Sequence, residues 1–363
     1  MQNKLVIDCL GFVSGRAFGF QEMLFNLLDY LHRKRNELHY SEIIIACKSS
    51  ECNAFSRYTD NFKVSGIQSA ESYLGSLWMR DRLANVFGLK KTDTILYPGN
   101  FSGLKKQCKQ VLIIHDLLYK HQDLLPSRLM RLQRNFYVPY SIKAADFVVC
   151  ISQFTADEVR HYYPYAADKT KVIYNYMNLG KYNSKPADNY SDYFLAVSSN
   201  AYHKDLGTLF RAFDIYVNKG GNNTLCLIGG VSEQSEAGKA LSMLPIETRS
   251  RILMKRGISN EELGLLYQQA SAFISCSRYE GFGMPIAEAM FFNLPIILTD
   301  IEVHHEISQD NACFFPVQDS EALANLMSTT DFTRQTYSSF SEQRYGEENT
   351  SKHYLDLLNH LAI

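Results

Sequence analysis

The chain has 363 residues, a length that predicts two domains of ordinary size rather than one. Its 37 lysines and arginines nearly balance 38 aspartates and glutamates, and the net charge of -1 gives no sign of nucleic-acid binding. The eight cysteines form no C-x-x-C pair and several lie in apolar runs, which predicts reduced, buried thiols in a cytoplasmic protein rather than a zinc site.

The first residues, MQNKLVIDCLGFVSG, lack a basic region followed by a long apolar core, so they predict a first strand rather than a signal peptide. No later run is long enough to cross a bilayer. Short apolar runs alternate with helical periods such as 20–34 and 206–219. The strand candidates are 5–10, 42–47, 94–99, 110–116, 146–152, 193–199, 224–230, 251–256, 271–277 and 295–300. Their apolar centres suit parallel strands, and the alternation predicts doubly wound α/β sheets.

One segment, SRYEGFGMPIAEAM at 277–290, carries two glutamates eight positions apart, with two glycines and a proline between them. It follows a strand candidate, and its proline is expected in the first turn of a helix. A helix N-terminus at the carboxyl end of a parallel sheet suits phosphate, while Glu280 and Glu288 can accept hydrogen bonds from sugar hydroxyls. A capped surface turn explains the same residues. The residues alone leave both interpretations open.

The segment resembles the E-x7-E signature of the retaining glycosyltransferases of family 4, which continues as G-F-G-x-P-x-x-E-A-M. Five further stretches resemble the same family, namely 111–126 with its His-Asp pair, 150–159, 172–178, 198–213 with its lysine, and 257–270. The resemblance implies the GT-B architecture, in which two Rossmann-like, doubly wound α/β domains face an interdomain cleft.

The resemblance also implies how the chain is divided. Residues 1–178 would form an N-terminal, acceptor-side domain, and residues 193–340 a C-terminal domain that binds the nucleotide sugar. The polar stretch 179–192 is the expected linker because it is rich in Gly, Pro, Asn and Ser. Residues 341–363 are expected to form a helix that packs back toward the N-terminal domain.

The family's functional residues match positions in this chain. Glu280 would contact the transferred sugar, Glu288 the ribose, and Lys204 the leaving diphosphate. A lysine before a helix start is unfavourable unless an anion lies nearby, although a solvated lysine is the alternative. His115 would face the sugar from the N-terminal domain, or simply be a hydrogen-bonded histidine at a strand end. The other expected donor-binding residues are His203, Gly281, Phe282, Gly283 and Met284. Gly15 and Gly19 are expected to contribute from an N-terminal loop, and Arg256, Gly257 and Ile258 are expected beside the nucleotide base.

Two features depart from the family pattern. His203 stands where many relatives have an arginine, which removes a fixed cation unless Arg278 or Arg16 replaces it. The segment 300–307, DIEVHHEI, lies where relatives have a glutamate-bearing loop, and Glu306 is the matching glutamate. Because adjacent side chains diverge, a surface loop is expected there rather than a metal site at the two histidines.

The implied reaction transfers a hexose from a nucleotide-diphosphate sugar, with GDP-mannose or a UDP-sugar as first choices, to a glycan or lipid-linked acceptor in surface polysaccharide synthesis. Retention of the anomeric configuration is expected. No metal or other cofactor is expected, since no acidic cluster or D-x-D pair suggests a metal site. Two other interpretations fit the glutamates: a glycoside hydrolase that uses Glu280 and Glu288 as acid and base, or a non-catalytic nucleotide-sugar-binding protein.

Two basic, aromatic stretches raise the hypothesis of peripheral association with an anionic membrane at its inner face. Arg128, Arg131 and Arg134 recur every three residues and would share one stripe of a helix. The stretch 73–91 combines the only tryptophan, Trp78, with four basic residues. Basic residues beside exposed aromatic rings suit anionic headgroups. The alternatives are a solvated arginine face and a tryptophan in the core.

Overall fold

The computed structural model describes residues 3–14, 19–125, 127–182, 191–330, 332–333, 337 and 343–362. The chain forms two compact units, each built around one parallel sheet. The first unit takes the chain up to Lys120, Ser127–Tyr176 and the stretch from Glu347 onward, and the second takes a short segment from His121 and the chain from Met177 to Gly346. Gly15, Arg16 and most of the predicted linker 179–192 lie outside the described residues.

The first unit contains a seven-stranded sheet in the order β3-β2-β1-β4-β5-β6-β7. Its strands are Lys4–Asp8 (β1), Glu42–Lys48 (β2), Lys63–Ile67 (β3), Thr94–Tyr97 (β4), Lys109–Ile114 (β5), Phe147–Cys150 (β6) and Thr170–Val172 (β7). Every pairing is parallel. The strand order changes direction between β1 and β4, which makes their carboxyl ends the switch point where such sheets bind ligands.

Helices connect most strands of this unit, whereas a loop joins β4 to β5. The helices are Gly19–Arg33 (α1), Tyr73–Arg80 (α2), Leu83–Val86 (α3), Arg128–Ala144 (α4) and Gln153–Tyr162 (α5). The C-terminal helix, Ser351–Leu361, also belongs to this unit. The Tyr40 hydroxyl donates to the Leu358 carbonyl at 2.8 Å, and the Lys109 ammonium donates to the Leu361 carbonyl at 2.6 Å. These bonds tie the end of the chain to the sheet.

The second unit contains a six-stranded parallel sheet in the order β10-β9-β8-β11-β12-β13. Its strands are Tyr193–Val197 (β8), Thr224–Ile228 (β9), Ile252–Lys255 (β10), Ala272–Ser275 (β11), Ile296–Thr299 (β12) and Cys313–Phe315 (β13). Its helices are Leu206–Asn218 (α6), Glu236–Met243 (α7), Ile246–Ser250 (α8), Asn260–Gln269 (α9), Met284–Phe291 (α10), Glu302–Ser308 (α11) and Ser320–Thr329 (α12). The switch point lies between β8 and β11. The prediction of two doubly wound parallel-sheet domains is confirmed.

Helix α6 shows how the sequence pattern positions the edge of the second sheet. Leu206, Phe210 and Phe213 are spaced like one helical face and lie in the core of the unit. Burying each of these side chains contributes roughly 1.5–3 kcal/mol. Asp205 caps the helix by accepting a hydrogen bond from the Thr208 backbone N–H at 3.4 Å, and its other oxygen accepts one from the Thr208 hydroxyl at 2.8 Å. The start of α6 is therefore fixed where β8 ends.

The apolar pattern does not predict three strands, namely β3, β7 and β13. All three lie at sheet edges or are short: β3 reads KVSGI, and β7 and β13 have three residues each. Short or partly polar runs carry little periodic signal. The segment 300–307 is a further correction, because it forms helix α11 rather than a surface loop. Within the described ranges, no helix is long and apolar enough to cross a membrane.

Candidate active site

Two loops are joined at the switch point of the second sheet. One runs from the end of β8 to Lys204, and the other follows the neighbouring strand β11 as far as Gly283. The backbone N–H of Arg278 donates to the His203 carbonyl at 2.8 Å, and its guanidinium lies 4.3 Å from the centre of the Tyr202 ring. The loops therefore form one hydrogen-bonded edge, and Arg278 brings a cation beside His203.

The ammonium group of Lys204 forms an ion pair with the Glu280 carboxylate in this edge. The Ser277 hydroxyl donates to the same carboxylate at 2.7 Å. Burial acts to raise the pKa of Glu280, but Lys204, His203 and Ser277 together hold that pKa below its ordinary value. A lysine before a helix start is unfavourable unless an anion lies nearby, and in this structure that anion is Glu280.

The N-terminus of α10 lies directly after Glu280. Its capping residue is Gly283, which has a φ of 93°, a left-handed value that favours glycine. Because glycine has no side chain, no side-chain hydrogen bond caps α10. Pro285 has no N–H and the Ile286 N–H donates to the Gly283 carbonyl at 2.9 Å, so an anion at this turn would meet the Met284 amide and the positive end of the helix dipole. A Cβ atom on Gly283 would lie 2.9 Å from Cδ1 of Ile286. Phe282 is buried edge-on against Tyr345, with ring centres 5.3 Å apart, and anchors this turn.

Glu288 is held by a different group of partners. One carboxylate oxygen accepts a hydrogen bond from the Tyr182 hydroxyl and lies 3.1 Å from the ammonium nitrogen of Lys181. The other oxygen accepts a hydrogen bond from the Tyr267 hydroxyl at 2.7 Å. The structure thus joins Glu280 to Lys204 and Glu288 to Lys181. Sequence reasoning selected none of these three partners, since Lys181 and Tyr182 fall in the expected linker and Tyr267 reads as a core aromatic.

The two adjacent histidines of α11 have opposite surroundings. His304 is fully buried, and its Nδ1 lies 2.8 Å from the Thr299 carbonyl oxygen. Burial lowers the pKa of His304 to about 4. His305 is exposed and its ring nitrogens lie 2.8 Å from Asp300 and 2.5 Å from Asp310, whose carboxylates raise its pKa. The histidines therefore diverge, but one of them is an interior residue.

The residues expected at the nucleotide base follow β10. Arg256 is exposed and donates to the Val231 carbonyl at 3.0 Å. Its guanidinium packs on Gly230, where a Cβ atom would lie 2.1 Å from Nε of Arg256 and would displace that side chain. Gly257 has a left-handed φ of 63° and Ile258 follows it half-buried. In the sheet order, β10 is separated from β8 by β9 alone, so these residues share the carboxyl edge with the paired loops.

A cavity of about 220 Å³ lies beside this edge, at the start of α6 and α7. It is lined by Asn200, Ala201, Tyr202, Asp205, Leu206, Gly207, Ser235, Glu236 and Ala237. Lys204 and Glu280 do not line it, so the cavity adjoins the ion pair without containing it. We place the candidate site at the ion pair because charged side chains and the N-terminus of α10 converge there.

His115 lies in the first unit, at the carboxyl end of β5. Its Nε2 is 2.6 Å from the Pro98 carbonyl oxygen, and its backbone N–H donates to the Asn100 side chain at 2.7 Å. Burial lowers the pKa of His115, so the ring is neutral at neutral pH and donates Nε2–H to Pro98. The predicted loop residue Gly19 is the first residue of α1.

A second feature of the first unit was not expected from the sequence. Asp8, the last residue of β1, forms a buried ion pair with Arg80 at 2.5 Å. The other oxygen of Asp8 accepts a hydrogen bond from the Leu10 backbone at 2.9 Å. The pair fixes the switch point of the first sheet.

Comparison with known proteins gives two family matches. The family described as Glycosyltransferase Family 4 matches residues 19–181, and that described as Glycosyl transferases group 1 matches residues 182–336. The O-antigen chain mannosyltransferase RfbU of Salmonella typhimurium is 24% identical over 290 residues, which cover 79% of this chain and 78% of that protein. Among solved structures, sucrose-phosphate synthase from Thermosynechococcus elongatus covers 99% of both chains with a TM-score of 0.74 and 16% identity. Anabaena HepE in complex with UDP and glucose covers 99% of this chain and 100% of that chain, with a TM-score of 0.71 and 16% identity.

Proposed function

Since the chain belongs to glycosyltransferase family 4 and has the GT-B fold, we propose that it transfers a hexose from a nucleotide-diphosphate sugar to a glycan or lipid-linked acceptor during surface polysaccharide synthesis, with retention of configuration. The observation that carries this proposal is the Lys204–Glu280 ion pair. It lies at the switch point of a doubly wound sheet, beside the N-terminus of α10, whose capping residue is a glycine.

We take mannose as the first candidate for the transferred sugar and GDP-mannose as the first donor. The similarity to an O-antigen chain mannosyltransferase over most of both chains supports this choice. A UDP-sugar is the second candidate, because HepE was solved with UDP and glucose.

The chain's own groups suit each step of such a transfer. The diphosphate would bind at the N-terminus of α10, where the helix dipole and the Met284 amide favour an anion, and would draw Lys204 away from Glu280, which would free that carboxylate for a sugar hydroxyl. Glu288 would accept hydrogen bonds from the ribose within its present network. As the bond between the anomeric carbon and phosphate oxygen breaks, Lys204 would balance the charge on the leaving diphosphate. The acceptor oxygen would attack from the same face and give its proton to that phosphate oxygen, without a metal ion.

A glycoside hydrolase is not favoured by these surroundings. A general acid in such an enzyme needs a raised pKa so that it holds its proton. The pKa of Glu280 is instead lowered by its ion pair with Lys204. A non-catalytic binding protein would hold a nucleotide sugar in the same way, and acceptor-dependent release of nucleoside diphosphate separates it from a transferase.

The first experiment is a thermal-shift screen with GDP-mannose, UDP-glucose, GDP and UDP. A ligand at a hundred times its dissociation constant should stabilise the folded protein by about 2.7 kcal/mol. Lys204→Met should abolish the shift, whereas Lys219→Met, which removes an exposed lysine directly after α6 that pairs with Glu321, should keep it. The matching transfer assay measures nucleoside diphosphate released with and without a lipid-linked glycan acceptor. Absence of any shift and any release in the folded wild type would reject the proposed function.

We also propose that the first unit associates with an anionic membrane at its cytoplasmic face, through α4. Four side chains of this helix are spaced three or four residues apart, share one stripe and are exposed: Leu129 (77%), Leu132 (69%), Phe136 (51%) and Tyr140 (51%). The opposite face is buried through Val138, Ser141 and Ile142. A helix that turns apolar residues both inward and outward has an unpartnered surface.

The positive charge of α4 favours an anionic lipid surface as its partner over a second copy of this chain, whose net charge is close to zero. Its 17 residues include three arginines and a lysine but no acid. The expected stripe of arginines is only partly available, because Arg134 lies 3.5 Å from Asp116. The apolar row, flanked by Arg128 and Lys143, is therefore the stronger membrane-facing feature.

Helix α2 is linked to the inward face of α4 through one loop, and it carries a further exposed aromatic side chain of the first unit. The Ser102 N–H donates to the Ser141 hydroxyl of α4 at 3.0 Å, and the Leu104 N–H in the same loop donates to Asp81, directly after α2. Trp78 of α2 is half exposed rather than in the core, and the Arg82 guanidinium lies 3.8 Å from its ring centre. A tryptophan beside a cation suits the interface between headgroups and acyl chains.

The membrane proposal is tested by sedimentation with liposomes of phosphatidylcholine mixed with increasing phosphatidylglycerol. Binding should rise with anionic lipid and fall with salt, and Leu129→Gln/Leu132→Gln/Phe136→Gln or Arg128→Gln/Arg131→Gln/Arg134→Gln should weaken it. The control Met243→Gln/Ile246→Gln removes equally exposed apolar side chains from the second unit. Equal binding by all variants, or a dimer in solution that the α4 variant dissolves, would overturn the proposal.

A further inference from the structure

We propose that His304 selects the donor by accepting, at its Nε2 atom, a hydrogen bond from one hydroxyl of the transferred sugar. This inference rests on the proposed glycosyltransferase function and extends its donor site. No role follows for this residue from the E-x7-E signature. His304 would be a specificity-determining residue that works beside Glu280.

The position of His304 follows from a chain of hydrogen bonds to Glu280. Its Nδ1 lies 2.8 Å from the carbonyl oxygen of Thr299, the last residue of β12. The Thr299 hydroxyl donates to the Ser277 carbonyl at 2.7 Å, and the Ser277 hydroxyl donates to Glu280 at 2.7 Å. Strands β11 and β12 are adjacent and parallel, so these residues share one carboxyl edge. His304 thus lies one layer behind the ion pair.

The bond to Thr299 also fixes what the other ring nitrogen can do. A carbonyl oxygen only accepts, so Nδ1 of His304 carries the proton and Nε2 presents a lone pair. Burial keeps the ring neutral, because it lowers the pKa to about 4, and Glu280 and Lys204 are the charges that act on it most strongly. His304 is therefore a neutral acceptor that lies close enough to Glu280 and Lys204 for both charges to affect it.

This acceptor has no partner in the described part of the protein. The Nε2 atom of His304 is buried and makes no hydrogen bond, while the rest of the ring is fully enclosed. Native proteins rarely bury an acceptor without a partner, and an orphaned one calls for an explanation. A sugar hydroxyl that arrives when the diphosphate draws Lys204 from Glu280 would supply the missing donor. The sugar hydroxyl would donate a hydrogen bond to Nε2 and keep its proton, so no covalent bond would form or break.

The neighbouring His305 offers a matched contrast. It has the same side chain one position along α11, but it is exposed and both of its ring nitrogens are bound by carboxylates. It has no acceptor to offer a sugar. Substitutions at the two positions therefore separate the effect of a buried lone pair from the general effect of losing a histidine from this helix.

The test uses GDP-mannose and its 2-, 3-, 4- and 6-deoxy forms, or the same series of UDP-glucose if that donor gives the thermal shift. We measure kcat/KM for wild type, His304→Phe, His304→Gln and His305→Gln. Wild type should lose roughly five- to a hundredfold with one particular deoxy donor, because a buried acceptor is then left unmet. The kcat/KM of His304→Phe with the intact donor should be lower than that of wild type by a similar factor. With that deoxy donor, the kcat/KM of His304→Phe should fall no further. His304→Gln, whose amide oxygen still accepts, should recover part of the loss, and His305→Gln should behave as wild type.

Several outcomes would contradict the inference. Equal losses for His304→Phe with all five donors would show a purely structural role, and full activity would show no role at all. If His304→Phe does not fold, the deoxy series with wild type decides, since a wild type whose kcat/KM falls with none of the four deoxy donors overturns the proposal. Thermal shifts with bare GDP or UDP give a second readout, because His304→Phe should weaken binding of the sugar nucleotide but not of the bare diphosphate. A wild type that uses no nucleotide sugar would reject the proposed function itself.

Discussion

Replacing Lys204 with methionine should turn Glu280 from a stabilising into a destabilising group, and it should invert the pH dependence that this group gives to folding. In the native protein the pKa of Glu280 is lowered, so the folded state releases its proton more readily than the unfolded chain. The resulting stability is complete above the unfolded pKa of about 4.3 and is lost as the pH falls through the lower, folded pKa. Methionine keeps the length of the side chain but removes the charge.

Without Lys204, burial becomes the dominant influence on Glu280 and should raise its pKa above the unfolded value. The folded variant is then less stable at neutral pH, because Glu280 is buried as an unpaired charge. It regains stability as the pH falls through the raised pKa of Glu280. The side chains of Lys204 and Glu280 keep only 20% and 14% of their exposure. Breaking such a mostly buried pair should cost about 3 kcal/mol, the lower end of the range for buried pairs. For a unit of this size, that lowers the midpoint by about 6–12 °C.

The assay is scanning calorimetry from about pH 3 to about pH 8, which covers the acid range in which wild type loses this contribution, with the transitions of the two units analysed separately. Glu280→Gln should cost less, about 1–2 kcal/mol, because the remaining lysine can reach water, and the double variant should recover part of the loss from Lys204→Met. Lys219→Met, which breaks an exposed pair, should change stability by no more than about 1 kcal/mol. If Lys204→Met kept the wild-type pH profile, the buried ion pair would not control the charge of Glu280.

Three further predictions concern the site and the first unit. Glu288→Ala should lower kcat/KM with the nucleotide-sugar donor by about ten- to a hundredfold while circular dichroism stays unchanged, since it removes charge-assisted hydrogen bonds, and near-normal turnover would argue against a role in donor binding. Transfer should continue after metal stripping in excess chelator, and activity that disappears and returns with manganese or magnesium would show a metal-dependent step. Arg80→Met should lower the free energy of unfolding by about 3–5 kcal/mol because it leaves Asp8 buried without its partner, whereas Asp8→Asn/Arg80→Met should lose less, and urea unfolding that shows no difference between them would contradict this.

Local signals predicted the scaffold of the site well. The run 271–277 contains β11, and the Gly-rich turn and Pro285 mark the start of α10 close to its observed first residue, Met284. Each of these features depends on a few neighbouring residues, namely an apolar run, a glycine with positive φ and a proline in the first helical turn. A single sequence carries such signals directly.

The partners of the charged groups could not be predicted in the same way. The position of Lys204 predicts that an anion lies nearby, but the anion, Glu280, is 76 positions away and only the folded sheet brings it there. Lys181 and Tyr267 lie 107 and 21 positions from Glu288. No local pattern encodes contacts of this kind.

Helix α11 shows a failure of a different kind. Its capping residue is Ile301, whose side chain forms no capping hydrogen bond, so the sequence lacks the usual signal for a helix start. A surface loop was therefore the reasonable expectation for the segment. Packing against α10, together with the hydrogen bond from His304 to the last residue of β12, holds the helix, and His304 lies in the interior.

The position of the C-terminal helix has a consequence for how the protein is made. The first unit includes Ser351–Leu361, yet residues 177–346 of the second unit leave the ribosome before that helix does. At roughly 5–20 residues per second, the first sheet would wait about 10–35 s for Leu355, Leu358 and Leu361, which are buried in the finished unit. During translation the nascent chain would expose apolar surface, which suits chaperones. A fragment that stops at Tyr176 would keep that surface exposed permanently, so aggregation is its expected fate.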